Sequence, residues 1–225
     1  MNGIIPIVFI VDDDRAVRTA LSRLLTAAGY QARSFESAER FIEEQDTEAP
    51  GCLLLDVCLP GLSGLELQRA LAGSSRARPI VFMTGTGDIQ AGVQAMKAGA
   101  IDFLTKPVDE KRLIAAVEQA FRCDAEQRQE RAIRSMIQQR LETLTPRERQ
   151  VMMYVVLGQI NRQIAAEIGT GEKTVKVHRG RMMSKMGAGS VAELVQLAAR
   201  IGVAIEPNLS VDGPAMNWKR GLNSA

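Results

Sequence analysis

Cysteine, histidine and long apolar runs are scarce in this chain. Its 225 residues include three cysteines, Cys52, Cys58 and Cys123. The number is odd and the spacing suits no metal, so neither a disulfide framework nor a zinc site is expected, and a reducing, cytoplasmic setting fits. The one histidine, His178, reads as a packed or capping residue rather than a metal ligand or base. No run approaches the roughly 20 apolar residues of a membrane span, and Ile4 to Val11 is too short and ends too acidic for a signal peptide. From Asp109 to Leu144 there is neither Gly nor Pro. That stretch reads either as one long helix or as a helix with a flexible charged linker in its middle.

The length suits two domains of roughly 100 residues each. Charge divides at the same place: residues 1–121 hold 12 Lys plus Arg against 16 Asp plus Glu, a net of −4, whereas residues 122–225 hold 16 against 10, a net of +6. An acidic half joined to a basic half suggests a regulated nucleic-acid binder.

Ile7 to Val11 is a β-branched run that stops at Asp12-Asp13-Asp14, after which Val17, Leu21, Leu24 and Leu25 recur at helical spacing. Four further repeats follow. Strands are expected at Tyr30 to Phe35, Cys52 to Asp56, Pro79 to Thr84 and Ala100 to Leu104, with helices from Ser37, after Gly64, over Ala91 to Ala98 and from Asp109. Five such repeats predict an α/β fold, a five-stranded parallel doubly wound sheet with helices on both faces. The carboxyl ends of four strands then present Asp12 and Asp13, Asp56, Thr84 and Lys106. Thr86 competes with Thr84, which is favoured because it directly follows the apolar strand. Three carboxylates converging in one place call for a cation among them, and oxygen-only ligands favour a hard ion such as Mg²⁺ or Mn²⁺. With Lys106 opposite, such a pocket can neutralise phosphoryl oxygens while an Asp56 oxygen attacks phosphorus in line.

Val-Asp-Asp-Asp at 11–14, Asp56 followed by Leu-Pro-Gly-Leu-Ser-Gly, Thr84-Gly85, Lys-Ala-Gly-Ala at 97–100 and Lys106-Pro107 together resemble a response-regulator receiver domain of flavodoxin-like fold. The resemblance covers residues 4–121. It implies that Asp56 accepts a phosphoryl group from the phosphohistidine of a sensor histidine kinase. Asp13, Asp56 and the Cys58 backbone carbonyl would ligate the metal, with Asp12 reaching it through water. Thr84 would bond the phosphoryl group, Lys106 would pair with it across a cis Lys-Pro bond, and Phe103 would occupy the aromatic switch position. Asp14 reads as a helix N-cap. A rival reading, a haloacid-dehalogenase-like phosphatase, needs a second acid two residues after the nucleophile, and position 58 is Cys. A second rival is constitutive DNA binding beside a vestigial receiver, which the complete acidic site disfavours.

In the second half, Thr145-Pro146-Arg147-Glu148 combines an N-cap, a first-turn proline and a capping-box glutamate. Ile160 to Ile168 reads as a short helix, Gly169-Thr170-Gly171 as a turn and Glu172 to Met186 as a third helix. One face of that helix carries Val175, His178, Met182 and Met186, and the opposite face Lys173, Thr174, Lys176, Val177, Arg179 and Arg181. A short helix, a Gly turn and a helix with a basic face make a helix-turn-helix pattern. Ser190 caps a fourth helix.

Leu144-Thr-Pro-Arg-Glu, Asn161, Ile164-Ala165 and Lys173-Thr-Val-Lys-Val-His178 resemble the all-α, four-helix LuxR-type DNA-binding domain of the NarL/FixJ response regulators, over about residues 143–203. By that resemblance Lys176 and Val177 reach base edges, while Lys173, Thr174, Arg179 and Arg181 hold phosphates. The fourth helix would dimerise this domain through exposed apolar positions. Two departures stand out: Gly171 replaces a frequent Ser cap, and Gly180 lies mid-helix, at a cost of about 1 kcal/mol against Ala. The expected organisation is a receiver at 1–121, a helical or flexible linker at 122–142, a DNA-binding domain at 143–206 and a disordered tail at 207–225. The expected function is a cytoplasmic two-component transcription regulator, homodimeric when phosphorylated through its fourth helix and fifth strand. Its partners would be the sensor kinase, double-stranded promoter DNA and RNA polymerase, with no membrane. Its chemistry would be limited to metal-assisted phosphoryl acceptance and slow autodephosphorylation at Asp56.

Overall fold

The computed structural model describes residues 5–74, 77–85 and 89–202. Thr86 and the tail at 207–225 therefore lie outside the described residues. The chain divides into two compact units, Met1–Arg128 and Gln129–Ala225.

In the first unit β1 (Ile7–Val11), α1 (Arg15–Ala27), β2 (Gln31–Phe35), α2 (Ala38–Glu44), β3 (Gly51–Asp56), α3 (Gly64–Leu71), β4 (Ile80–Thr84), α4 (Ile89–Lys97), β5 (Asp102–Thr105) and α5 (Glu110–Glu142) follow in order. All strand pairs are parallel and the sheet order is β2-β1-β3-β4-β5. Alternate residues feed two cores, because successive strand side chains point to opposite faces. Phe9, Leu53, Leu55 and Phe82 pack with Phe41, Leu67 and Ala95, whereas Val8, Ile10, Leu54, Val81 and Met83 pack with Leu21, Leu25, Leu113 and Val117. Side-chain caps start the helices where the sequence supplies them, with Asp14 accepting from the Ala16 amide at 2.7 Å and Ser63 forming a capping box with Glu66. β5 begins two residues later than its apolar run suggests. The Ala100 amide is taken by Ala95 of α4 at 3.0 Å, closing that helix after Gly99, so Ala100 belongs to the helix end and not to the strand.

The long Gly- and Pro-free stretch is helical from Glu110 to Glu142 as α5, whose span crosses the boundary between the two units. Its polar middle carries a buried feature that local pattern does not reveal. Asp124, 2% exposed, accepts from the Gly51 amide at 2.8 Å and from Arg128 at 2.9 Å. Arg128 and Arg78 both donate to the Ala49 carbonyl, at 2.6 Å each, and the Arg78 guanidinium lies over the Phe9 ring, 4.3 Å from its centroid. Gly51 is required here. Its φ is +152°, and a Cβ would stand 1.9 Å from the Ile7 carbonyl oxygen.

The second unit contains the end of α5 followed by α6 (Pro146–Val156), α7 (Asn161–Glu167), α8 (Glu172–Met186) and α9 (Val191–Arg200). Ile137 from α5, Val151, Met152 and Val155 from α6, Ile164 from α7, Val175 and Met182 from α8 and Leu194 from α9 form its core. Thr145 and Glu148 form the capping box that starts α6. Glu148, 3% exposed, also takes the Lys185 ammonium at 2.6 Å. The apolar residues of α9 differ from expectation: Val191, Val195, Leu197 and Ile201 are half-buried against this unit's own core rather than displayed to solvent. Among the described residues no helix is long and apolar enough to cross a membrane.

Candidate functional site

The order β2-β1-β3-β4-β5 reverses direction between β1 and β3, and the loops leaving those two strands carry the acids. Open α/β sheets bind ligands at such a switch point, beyond the carboxyl ends of the strands. Asp12 follows β1 and is fully buried, Asp13 is exposed, and Asp56 ends β3 at 5% exposure. One carboxylate oxygen from each lies within 4.8 Å of the others. Gly64 lets α3 start against this strand end, since a Cβ there would stand 2.2 Å from the Asp56 carbonyl oxygen.

Lys106, directly after β5, places its ammonium between two of these acids, 2.6 Å from Asp12 and in hydrogen-bond contact with Asp56. The Lys106–Pro107 peptide is cis. Asp56 also accepts from the Cys58 amide at 3.1 Å, and Asp12 from the Asp14 amide at 2.9 Å. Burial is the largest influence on Asp12 and pushes its carboxyl above the ordinary aspartate range, against the lowering effect of Lys106. Burial alone would depress Lys106, but its bonds to Asp12 and Asp56 outweigh that and raise it. A compact all-oxygen donor set that is short of positive charge suits a hard divalent cation.

Thr84, 2% exposed, ends β4, and its carbonyl accepts from the Lys106 amide at 2.7 Å. Phe103 is half-buried opposite Phe82, and its ring lies along α4, where a Cβ on Gly92 would stand 3.1 Å from it. Cys58 is exposed, Cys52 is buried, and Cys123 is half-buried. Burial pushes the Cys52 thiol far up, so it is inert.

In the second unit, α8 has the predicted span, and Lys173, Thr174, Lys176, Val177 and Arg181 are exposed together. Arg179 is not fully on that face. It lies four residues after Val175 and three before Met182, both buried, and its guanidinium donates to Asn161 Oδ1 at 2.9 Å. Asn161 opens α7, so this bond ties the two helices of the motif together. Gly171 is the N-cap of α8 and gives no side-chain bond, while Gly187 ends the helix in the left-handed conformation.

These two constellations agree with comparisons to known proteins. Residues 8–118 match the response regulator receiver domain, and residues 142–198 match the luxR family of bacterial regulatory proteins. Nodulation protein W of Bradyrhizobium diazoefficiens is 42% identical over 198 residues, covering 88% of this chain and 87% of that protein. Transcriptional regulatory protein FixJ of the same organism is 40% identical over 196 residues, covering 87% and 96%. Among solved structures, response regulator StyR is 47% identical with a TM-score of 0.75, covering 87% of this chain and 98% of that one. Full-length FixJ from B. japonicum is 39% identical with a TM-score of 0.53, covering 88% and 98%. With a receiver fold bearing the acidic cluster, a helix-turn-helix unit and relatives of this extent, the chain belongs to the two-component response regulators that join a receiver domain to a LuxR-type DNA-binding domain.

Proposed function

We propose that Asp56 is the phosphoryl acceptor and that its phosphorylation sets the affinity of the second unit for promoter DNA. The carrying observation is the convergence of Asp12, Asp13 and Lys106 on Asp56. An Asp56 oxygen attacks the phosphorus of a kinase phosphohistidine, the phosphorus–nitrogen bond breaks, and its electron pair returns to the imidazole. Asp13, Asp56, the Cys58 carbonyl and, through water, Asp12 would hold Mg²⁺ or Mn²⁺, which when bound supplies positive charge to the phosphoryl oxygens. Lys106 pairs with the phosphoryl group and Thr84 bonds it, with Phe103 following as the switch residue. Cys58 offers no carboxylate to activate water, which supports slow autodephosphorylation and a signal that persists.

On this reading the receiver is residues 1–121, residues 122–142 connect it, and the DNA-binding domain is residues 143–206, followed by the tail. Lys176 and Val177 read base edges in the major groove. Lys173, Thr174 and Arg181 hold phosphates, and Arg179 does so from its anchored position beside Asn161. A phosphorylated homodimer is supported by Val93 and Met96, which leave α4 49% and 46% exposed beside β5. RNA polymerase completes the partners of a promoter-bound regulator in the cytoplasm.

Acetyl phosphate with Mg²⁺ should tighten promoter binding by roughly 5- to 150-fold, the usual range of coupling between two sites. It should also shift the chain toward dimer, and Asp56→Asn should lose both responses in anisotropy and ultracentrifugation. An Asp56→Asn chain that still responds overturns the assignment.

A further inference from the structure

The exposed face of α8 contains a residue that the fold does not explain. Gly180 lies in the helix interior, where glycine is among the least favourable residues, yet its backbone is in the ordinary right-handed conformation. A Cβ built on it would meet nothing within 4 Å, so no packing within the chain excludes a side chain. The other glycines inside described helices differ: a Cβ would stand 2.2 Å from the Asp56 carbonyl oxygen at Gly64 and 3.1 Å from the Phe103 ring at Gly92.

Helical geometry places Gly180 at the apex of the exposed face. At 100° per residue it is turned roughly 140–160° from the buried Val175 and Met182. It is within roughly 60° of Lys173, Lys176 and Val177, all exposed. One turn before the missing side chain stand Lys176 and Val177, an apolar side chain that is 50% exposed, and Lys173 stands two turns before it on the same face. Space at that point is open to something outside the chain, and the lysines on the same face suit a polyanion.

We propose that Gly180 is a specificity-determining residue, the point where the α8 backbone comes closest to the floor of the DNA major groove. The close approach lets Val177 pack on a thymine 5-methyl group, the one apolar feature a base pair presents there. This inference rests on α8 being the helix that enters the groove. A longer side chain at 180 lifts the helix off that base pair while leaving the phosphate contacts of Lys173 and Arg181 within reach.

The test begins with selection of duplexes from a randomised library by the full-length protein treated with acetyl phosphate. Affinities for the selected duplex are then measured by anisotropy. Gly180→Ala should melt no lower than wild type, because it replaces glycine in an open helical position. It should nevertheless bind the selected duplex about ten-fold or more weakly, the scale of one mismatched base pair. Val177→Ala should lose the preference for thymine at a single position. Gly180→Lys should keep non-specific binding and select a different base there. A Gly180→Ala chain with wild-type affinity and wild-type base preference overturns the inference. A wild-type chain that retains no duplex overturns the groove-entry reading itself, and the inference with it.

Discussion

Glu148 shows how one side chain can serve both a helix start and a tertiary joint. It caps α6 through the Thr145 amide at 2.9 Å and takes Lys185 of α8 at 2.6 Å while almost wholly buried. The Lys185 bond, followed by the Thr145 amide, holds its carboxyl below the usual range. A depressed carboxyl contributes stability that is present above its unfolded value, about 4.3, and is lost as pH falls through the folded value. Glu148→Gln should therefore cost about 1–2 kcal/mol at neutral pH, Lys185 being partly exposed. The gap from wild type should narrow as pH falls below about 4.3 in urea titrations followed by circular dichroism. A gap independent of pH would assign the loss to shape rather than charge. The capping role was legible in the sequence, since Thr-Pro-Arg-Glu is a local signature. The joint to Lys185 was not, because 37 residues separate the partners. Arg179 was legible in part: its charge suggested the DNA face, but its phase relative to Val175 and Met182 already marked it as an edge residue.

At the scale of elements, α5 gives the clearest contrast between charges that stabilise and charges that decorate. Arg122 to Arg131 looks like a solvated run, yet Asp124 and Arg128 tie that turn of helix to the amino ends of β3 and the loop before it. Nothing local announces this, since the Gly51 amide is 73 residues from its acceptor. Asp124→Ala should strand the Gly51 amide and uncompensate two guanidinium groups, destabilising the receiver by about 2–4 kcal/mol in urea denaturation. Arg134→Ala, which removes an exposed pair to Glu130 at 3.0 Å one turn later, should cost less than about 0.5 kcal/mol. Equal effects would mean that burial is not what distinguishes them. Apolar runs framed by turn residues locate element boundaries well, as for α8. At β5 the run is a poorer guide, because the closing turn of α4 takes Ala100.

For the molecule as a whole, the sequence exposed the acidic site because each acid directly follows a strand-forming run, and topology alone brings those strand ends together. A cation that binds the folded receiver and not the unfolded chain must raise its melting temperature by mass action. Millimolar Mg²⁺ should do so for the wild type and not for Asp13→Asn, whose side chain is exposed and whose loss leaves the core intact. An equal rise in both proteins would remove Asp13 from the ligand set. The sheet order carries one more consequence. β3 is paired on both sides and buried along its whole length, whereas β5, which leads to Lys106, is an edge strand paired only to β4. Local opening begins where pairing is one-sided and ends at central strands. Amide exchange should therefore be slowest around Asp56 and faster around Lys106, so the proposed phosphoryl acceptor is the still half of the site and its proposed ammonium partner the yielding half.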